Sequence, residues 1–217
     1  MKARIVTAAC VMGLVGLFIG GTTQASVING GFEITSGAYT TGALGWNDFS
    51  GAPANTVASA LRTTDDPFDG VAELTLSYRV LEEPGGGPAV IAQSDIFAGA
   101  VPGEMILTFQ AKSVVSGFEN NQVQVQWFDV GNVFLGATGF DSYNPTLTTS
   151  YSPQQFTYTA PAGTAGAMVQ FLMAGSAAPG DTATVRIDNV TLIPEPSTFA
   201  LAGAGLIGLL RFRRRKA

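Results

Sequence analysis

The chain has 217 residues, with 11 Lys or Arg, 16 Asp or Glu and no histidine, and its one cysteine, Cys10, lies in an apolar stretch near the N-terminus. Without that stretch the chain has neither His nor Cys, which excludes histidine-based catalytic triads, His- or Cys-ligated zinc and disulfides. Residues 26–193 carry 15 acidic and four basic side chains, a net charge of −11 that disfavours nucleic acid and anionic membranes as partners.

Residues 1–25 have the pattern of a secretory signal peptide. Lys2 and Arg4 form a basic start, residues 5–20 are uncharged and apolar, and small residues precede a cleavage site before Ser26. The alternative is a permanent N-terminal anchor, but the apolar run is short of the ~20 residues that a membrane span needs. We therefore expect export across the inner membrane.

The middle of the chain has the two-residue period of β-strands. Polar and apolar residues alternate without a break over residues 122–127, and the same period recurs at 74–79, 107–110 and 169–173. Clusters of Pro and Gly separate these segments, and we find no convincing amphipathic helix. Residues 26–193 are predicted to form one all-β domain, a jelly-roll β-sandwich of about eight to ten strands.

Three segments of this domain support a more specific comparison. Residues 29–33 read N-G-G-F-E, residues 70–76 enter a strand from a glycine, and residues 185–192 contain I-D-N-V. Their order resembles the jelly-roll carbohydrate-binding modules of the family 4 and 9 type. The resemblance implies a sandwich whose first and last strands pair, and it raises the expectation of sugar binding.

The last predicted strand changes its alternation at Asp188 and Asn189, which is what a β-bulge produces. In the resembled modules a structural calcium joins the first and last strands. Carried over by position, Glu33 and Asp188 are the expected carboxylate ligands, and main-chain carbonyls complete the shell. A site made only of oxygen suits calcium. The alternative is that Asp188 caps a turn and Glu33 is solvated.

Sugar-binding sandwiches stack exposed aromatic rings on sugars and read hydroxyls with amides. Trp127 shares the parity of Val123 and Val125, so we expect it in the core. The glutamines of the same strand face the other way and form either the floor of a sugar groove or a solvated sheet surface. The candidate sugar-binding residues are Trp46, Gln122, Gln124, Gln126, Tyr143 and Tyr151.

The other carboxylates do not form a recognisable catalytic or metal motif. Asp65, Asp66 and Asp69 lie close together before Gly70, but they lack the spacing of an EF-hand loop, so a solvated turn is favoured. A glycosidase requires two carboxylates at a set separation across a cleft, and nothing in the sequence pairs two of them. We therefore expect that the protein is not an enzyme.

The C-terminal residues 194–217 form a second targeting segment. Pro194, Glu195 and Pro196 precede an uncharged stretch at 197–210 and an arginine-rich end. This order resembles the PEP-CTERM sorting signal of Gram-negative bacteria. The resemblance implies a short hydrophobic helix that holds the chain in the membrane, recognition by an exosortase, cleavage near the triplet, and release or attachment at the cell surface.

Two functions from different classes follow from these predictions. The first is an exported, exosortase-processed, non-catalytic protein of the cell surface or extracellular matrix, associated with exopolysaccharide or biofilm, as proteins with such tails commonly are. The alternative is a carbohydrate-binding module that binds a polysaccharide directly. The domains expected are a signal peptide at 1–25, a sandwich at 26–193 and a sorting signal at 194–217.

Overall fold

A computed structural model describes residues 27–82, 88–115, 120–175 and 178–195. The predicted signal peptide and the part of the sorting signal from Pro196 onward lie outside these ranges. The described residues form two antiparallel β-sheets, so the all-β jelly-roll prediction is confirmed. None of them forms a helix with the length and apolar character of a membrane span.

Five long strands form the first sheet. They are β2 (Thr56–Thr63), β3 (Glu73–Val80), β6 (Gly103–Val115), β10 (Ser152–Ala160) and β12 (Thr182–Pro194). Their order across the sheet is β10-β6-β12-β3-β2. The last strand of the chain is therefore central, between β6 and β3.

Seven strands form the second sheet. They are β1 (Trp46–Asp48), β4 (Ala89–Ser94), β5 (Phe97–Ala98), β7 (Asn120–Phe128), β8 (Phe134–Ala137), β9 (Asp141–Ser142) and β11 (Gly166–Ala174). The order is β1-β4-β11-β7-β8, while β5 also pairs with β11 and β9 with β7. A short 3₁₀ helix, Asn144–Thr146, follows β9.

The core lies between the inner faces of the two sheets, where every second side chain of a strand is buried. The rings of Trp46 and Phe171 stack at 5.9 Å, and Phe109 meets Phe171 edge-on at 5.0 Å. Trp127 is also in the core, as its parity predicts. Burying a large apolar side chain contributes about 1.5–3 kcal/mol, so these contacts across the two sheets are a main source of stability.

The predicted bulge is present in β12. The register between β12 and β6 shifts between Asp188 and Thr191, and Asn189 has φ 50°, a conformation that asparagine tolerates better than most residues. The N-terminal segment packs here without forming a strand, and Val190 donates its N–H to the carbonyl of Gly30 at 2.9 Å. A Cβ at position 30 would lie 2.0 Å from the Val190 oxygen, so only glycine allows this approach.

Candidate functional site: a row of amides on the seven-stranded sheet

A row of amide side chains crosses four strands on the outer face of the seven-stranded sheet. Asn47 of β1 pairs with Gln93 of β4, Gln93 pairs with Gln170 of β11, and Gln170 pairs with Gln124 of β7. All four side chains are half-buried. Neighbouring strands lie about 4.8 Å apart, so the row is about 14 Å long. We call these four residues the amide row.

Hydrogen bonds connect part of the amide row and leave part of it free. Gln126, two residues along β7, donates to the side-chain oxygens of both Gln124 and Gln170 at 3.3 Å. Gln124 in turn donates to the carbonyl of Thr138 at 2.9 Å. Among the described residues, the side-chain amide of Gln93 in the row has no hydrogen-bond partner, and neither has that of Gln122 on the same face. These amides therefore have donors and acceptors available for a ligand.

Apolar side chains lie beside the amide row on the same face. Ile91 and Leu172 are directly paired across β4 and β11 and are half-buried. Phe49 follows β1 with the parity of Asn47, is 56% exposed, and donates its main-chain N–H to the carbonyl of Ile91. Phe140, also exposed, lies near the opposite border in the segment between β8 and β9. The face thus combines polar groups with exposed aromatic rings.

One carboxylate contacts the amide row. Asp95 accepts a hydrogen bond from Asn47 at 3.4 Å on one oxygen and from the Tyr39 hydroxyl at 2.6 Å on the other. The hydrogen bond to Asp95 and the charge of its carboxylate raise the pKa of Tyr39. Tyr39 therefore stays protonated and donates to Asp95, and these two residues form one border of the amide row.

The three glutamines predicted as sugar-binding residues lie on the outer face of β7, as the alternation of polar and apolar residues predicts. Gln122, Gln124 and Gln126 point away from the core on the outer face, half-buried. Sequence reasoning missed Asn47, Gln93 and Gln170, although each shares the polar parity of its own strand. That parity could have predicted that these side chains point away from the core. Their alignment with Gln124 could not be predicted, because it depends on the order of the strands in the sheet. Sugar binding by these glutamines stays a prediction.

The structure corrects two of the predicted aromatic residues. Trp46 is fully buried between Phe32 and Phe171, and its indole N–H donates to the carbonyl of Ile28 at 3.1 Å. Tyr143 is also buried, with its ring edge-on to Phe109 at 5.2 Å, and burial raises its pKa. Neither ring can stack on a sugar, because both fill the core.

The third predicted aromatic residue, Tyr151, directly precedes β10 of the five-stranded sheet and is half-buried. The Lys112 ammonium lies 4.3 Å above its ring, and Phe68 meets the ring edge-on at 5.5 Å. Lys112 is itself buried and forms an ion pair with Asp66. Tyr151 therefore helps to hold the acidic loop at 65–70 and is not available to the amide row.

The acidic loop is exposed, as the favoured solvated turn requires, but two of its carboxylates also form ion pairs. Asp65 pairs with Arg186 at 2.9 Å, in addition to the pair between Asp66 and Lys112. Arg186 is also 3.6 Å from the fully buried Glu73. The loop is thus tied by ion pairs to the outer face of the five-stranded sheet.

The two predicted calcium ligands converge on the same loop. Asp188 is fully buried, and its Oδ2 accepts hydrogen bonds from the N–H groups of Phe68 and Asp69 at 3.0 and 3.1 Å. Glu33 accepts hydrogen bonds from the N–H of Val71 and of the next residue. Burial, and to a smaller extent the charge of Glu33, raise the pKa of Asp188. Both carboxylates therefore anchor the loop through main-chain hydrogen bonds.

Glu33 and Asp188 offer carboxylate oxygens, the ligand type that calcium prefers, and these oxygens accept hydrogen bonds from main-chain N–H groups. A Cβ at Gly31 would lie 3.8 Å from Cγ of Glu33 and 3.9 Å from Oδ1 of Asp188, so the two side chains approach one another there. Within the described ranges no group of three or more Asp, Glu, His or Cys residues is arranged so that it could hold a metal ion. Main-chain carbonyls would have to complete a shell of six to eight ligands. Calcium binding stays a prediction.

Comparison with known proteins identifies the C-terminal segment. Residues 192–216 match the PEP-CTERM protein-sorting motif, so the predicted sorting signal is confirmed. The motif indicates exosortase-dependent export and a surface or extracellular location in Gram-negative bacteria. A search of curated proteins finds no match to the chain.

Similar solved structures are mostly carbohydrate-binding modules, as the sequence resemblance implied. The enzymatically active domain of tailspike protein 4 from bacteriophage CBA120 has a TM-score of 0.53 and 20% identity, covering 77% of this chain and 21% of that chain. This chain therefore spans about a fifth of the tailspike chain. A family 16 carbohydrate-binding module has a TM-score of 0.47 and 20% identity, with 77% and 98% covered. At such identities the likeness concerns the fold alone.

Proposed function

We propose that this protein is an exported, exosortase-processed protein of the cell surface or extracellular matrix, and that its sandwich binds a neutral polysaccharide through the amide row. It is non-catalytic and associates with exopolysaccharide. The membrane holds the chain through residues 197–210 before exosortase cleaves near Pro194, Glu195 and Pro196. The sorting motif supports the route, and the amide row supports the binding.

The amide row is the observation that carries the binding proposal. A sugar hydroxyl both donates and accepts hydrogen bonds, and a side-chain amide offers both functions from one group. The row is half-buried, so its amides are already partly ordered, which reduces the entropy lost on binding. Phe49 adds an exposed ring beside the row, of the kind that a sugar ring can cover.

The charge of the domain favours a neutral glycan over an acidic one. Residues 26–193 have only four cationic side chains, Arg62, Arg79, Lys112 and Arg186. Lys112 and Arg186, on the five-stranded sheet, pair with the acidic residues of the loop at 65–70. Arg62 donates to the carbonyl of Phe32 at 2.7 Å. A uronate-rich polymer would meet Asp95 on the amide face, where like charges repel.

The same face argues against catalysis. Hydrolysis of a glycosidic bond normally uses two carboxyl groups about 5–9.5 Å apart. The carboxylate that the amide row contacts is Asp95, and both of its oxygens already accept hydrogen bonds. A single, occupied carboxylate supports binding of a glycan and not its cleavage.

Affinity electrophoresis in gels that contain neutral or acidic polysaccharides tests the proposal. We expect a neutral polymer to retard the protein, and Gln170→Ala to reduce the retardation because Gln170 is central to the row. Gln155→Ala is the matched control, since Gln155 is exposed on the outer face of the other sheet. Gln155 also borders a groove of about 490 Å³ between the N-terminal segment and β10.

The possible outcomes separate the alternatives. If only Gln155→Ala loses retardation, the sugar site lies in that groove and not on the amide row. No retardation by any neutral polymer, with the protein folded, would contradict direct binding. The protein would then be an exported matrix protein that does not itself bind sugar.

A further inference from the structure

The sorting motif begins inside the folded sandwich. The matched residues start at Leu192, whereas β12 continues to Pro194, which pairs with Met105 of β6. Glu195 then donates its N–H to the carbonyl of Glu104 at 2.9 Å. The uncharged stretch starts at Ser197. Only one residue, Pro196, separates the sheet from the apolar segment.

The strand register shows which loops surround this exit point. The start of β6 pairs with the end of β10 through Gly103 and Ala160, beside the end of β12. The chain then crosses to the second sheet, where Gly166 pairs with Phe128, the last residue of β7. The turn between β7 and β8 therefore lies at the end of the sandwich from which the sorting signal leaves. We call this the exit end.

The exit end carries a concentration of exposed apolar side chains. Val130 at the tip of the turn is 91% exposed, Val133 is 60% exposed and Phe134 is 56% exposed. Oδ1 of Asp129 accepts the N–H groups of Gly131 and Val133 at 2.8 Å, which holds the turn in shape. Single exposed apolar residues are ordinary on a protein surface, but three on one short turn form a patch that suits an apolar partner.

We propose that the exit end rests on the lipid bilayer in the unprocessed chain, with Val130, Val133 and Phe134 contacting lipid. The inference rests on the proposed function, because it requires residues 197–210 to enter the membrane. From Glu195 across Pro196 to Ser197 an extended chain spans about 7 Å, so this connection keeps the sandwich within contact distance of the interface. Apolar side chains that enter an interface are buried by about 5–10 Å, which is the depth that a turn tip can reach.

The charges at the exit end specify the kind of membrane surface. Glu104, Glu195 and Asp129 lie there, and within the described ranges the basic residues Arg62, Arg79, Lys112 and Arg186 belong to strands β2, β3, β6 and β12 away from that end. Anionic lipid would repel these carboxylates, whereas zwitterionic lipid would not. The contact is therefore apolar and should be strongest on a zwitterionic bilayer.

The test uses the exported but unprocessed chain, purified from cells without exosortase and reconstituted in phosphatidylcholine vesicles. Residues 26–217 contain no cysteine, so Val130→Cys provides one attachment site for an environment-sensitive fluorophore. Val57→Cys is the matched control, because Val57 is 54% exposed and pairs with Arg79 near the start of β12, at the opposite end. Both substitutions are at exposed positions and should leave the fold unchanged.

We expect a blue shift of the label at position 130, quenching by brominated lipid, and neither effect at position 57. Added phosphatidylglycerol should reduce the effect at position 130. Equal spectra at both positions in vesicles that carry the protein would overturn the contact. If the label at position 130 shifts to the blue only after exosortase is added, the patch contacts exosortase, and the proposed lipid contact is wrong. If the chain fails to float with the vesicles, the membrane step of the proposed function is wrong, and the inference is wrong with it.

Discussion

The main-chain N–H of Glu195 donates to the carbonyl of Glu104 at 2.9 Å, which extends the central strand of the five-stranded sheet into the sorting motif. The boundary of the folded domain is thus later than residue 193. A chain that ends after Glu195 should be more stable than one that ends after Ile193, because it keeps this bond and the Pro194–Met105 pair. One such hydrogen bond contributes about 0.5–1.5 kcal/mol. Thermal denaturation of the two truncated chains measures the difference, and equal melting temperatures would contradict it.

The same truncation tests the role of the tail in localisation. Deletion of residues 196–217 removes the apolar segment and the arginine-rich end but leaves β12 whole. We expect the shortened protein to be exported, folded and no longer retained. Cell fractionation of strains that express the full and shortened chains measures this. Unchanged retention at the surface would show that the tail does not sort the protein.

Calcium should stabilise the fold if Glu33 and Asp188 share the ion. A metal that binds only the folded state adds about 2.7 kcal/mol at a hundredfold excess over its Kd. We therefore expect a melting temperature several degrees lower in chelator, restored by calcium more than by magnesium. Differential scanning calorimetry of protein first stripped of metal checks this. Identical curves with and without chelator would show that the two carboxylates anchor the acidic loop through hydrogen bonds alone.

Asp188→Asn separates the anchoring role from metal binding. Asp188 accepts N–H donors on both oxygens, including Asn189 at 2.7 Å on Oδ1. An asparagine there would turn its own NH₂ towards at least one of these donors, which leaves buried N–H groups unpaired at about 1–3 kcal/mol. The variant should melt low with or without calcium. Glu82→Gln, a change of the same type at an exposed position after β3, is the matched control and should melt as the parent does.

The ion pair between Asp66 and Lys112 predicts a pH dependence. The hydrogen bond and charge of Lys112 lower the pKa of Asp66 below its ordinary value of 3.8. Because the folded-state pKa is lowered, the Asp66 contribution is present above the unfolded pKa and is lost as the pH falls through the folded pKa. Asp66→Asn should therefore destabilise the domain at pH 7 and have little effect well below pH 3.8. Urea denaturation at both pH values measures the change.

The control for that experiment is Asp69→Asn in the same loop. The Asp69 carboxylate accepts the N–H of the next residue, Gly70, and forms no ion pair among the described residues. It should change stability little at either pH. A loss in Asp66→Asn that is equally large at low pH would show that the ion pair is not its source.

Most of the fold could be predicted from the two-residue alternation of polar and apolar residues. The alternation around Gln124 placed β7 and its two faces correctly, and the same logic put Trp127 in the core and the bulge at Asp188. These features are local, because the two-residue period of a strand is written in adjacent residues. The sorting motif could likewise be read from a short linear pattern that needs no tertiary context.

The candidate site depended on strand order, which is not a local property. Gln93 and Gln170 are 77 positions apart in the numbering but become direct partners because β4 and β11 are neighbours. Trp46 was assigned to a binding face because its neighbours are polar, yet it is the ring that fills the space between the sheets. Which of two faces meets the core, and which strands lie side by side, follows from burial of apolar area summed over the whole domain. This total burial depends on contacts between residues that are distant in the sequence. The amide row and the ion pairs of the acidic loop could therefore be recognised only in the tertiary structure.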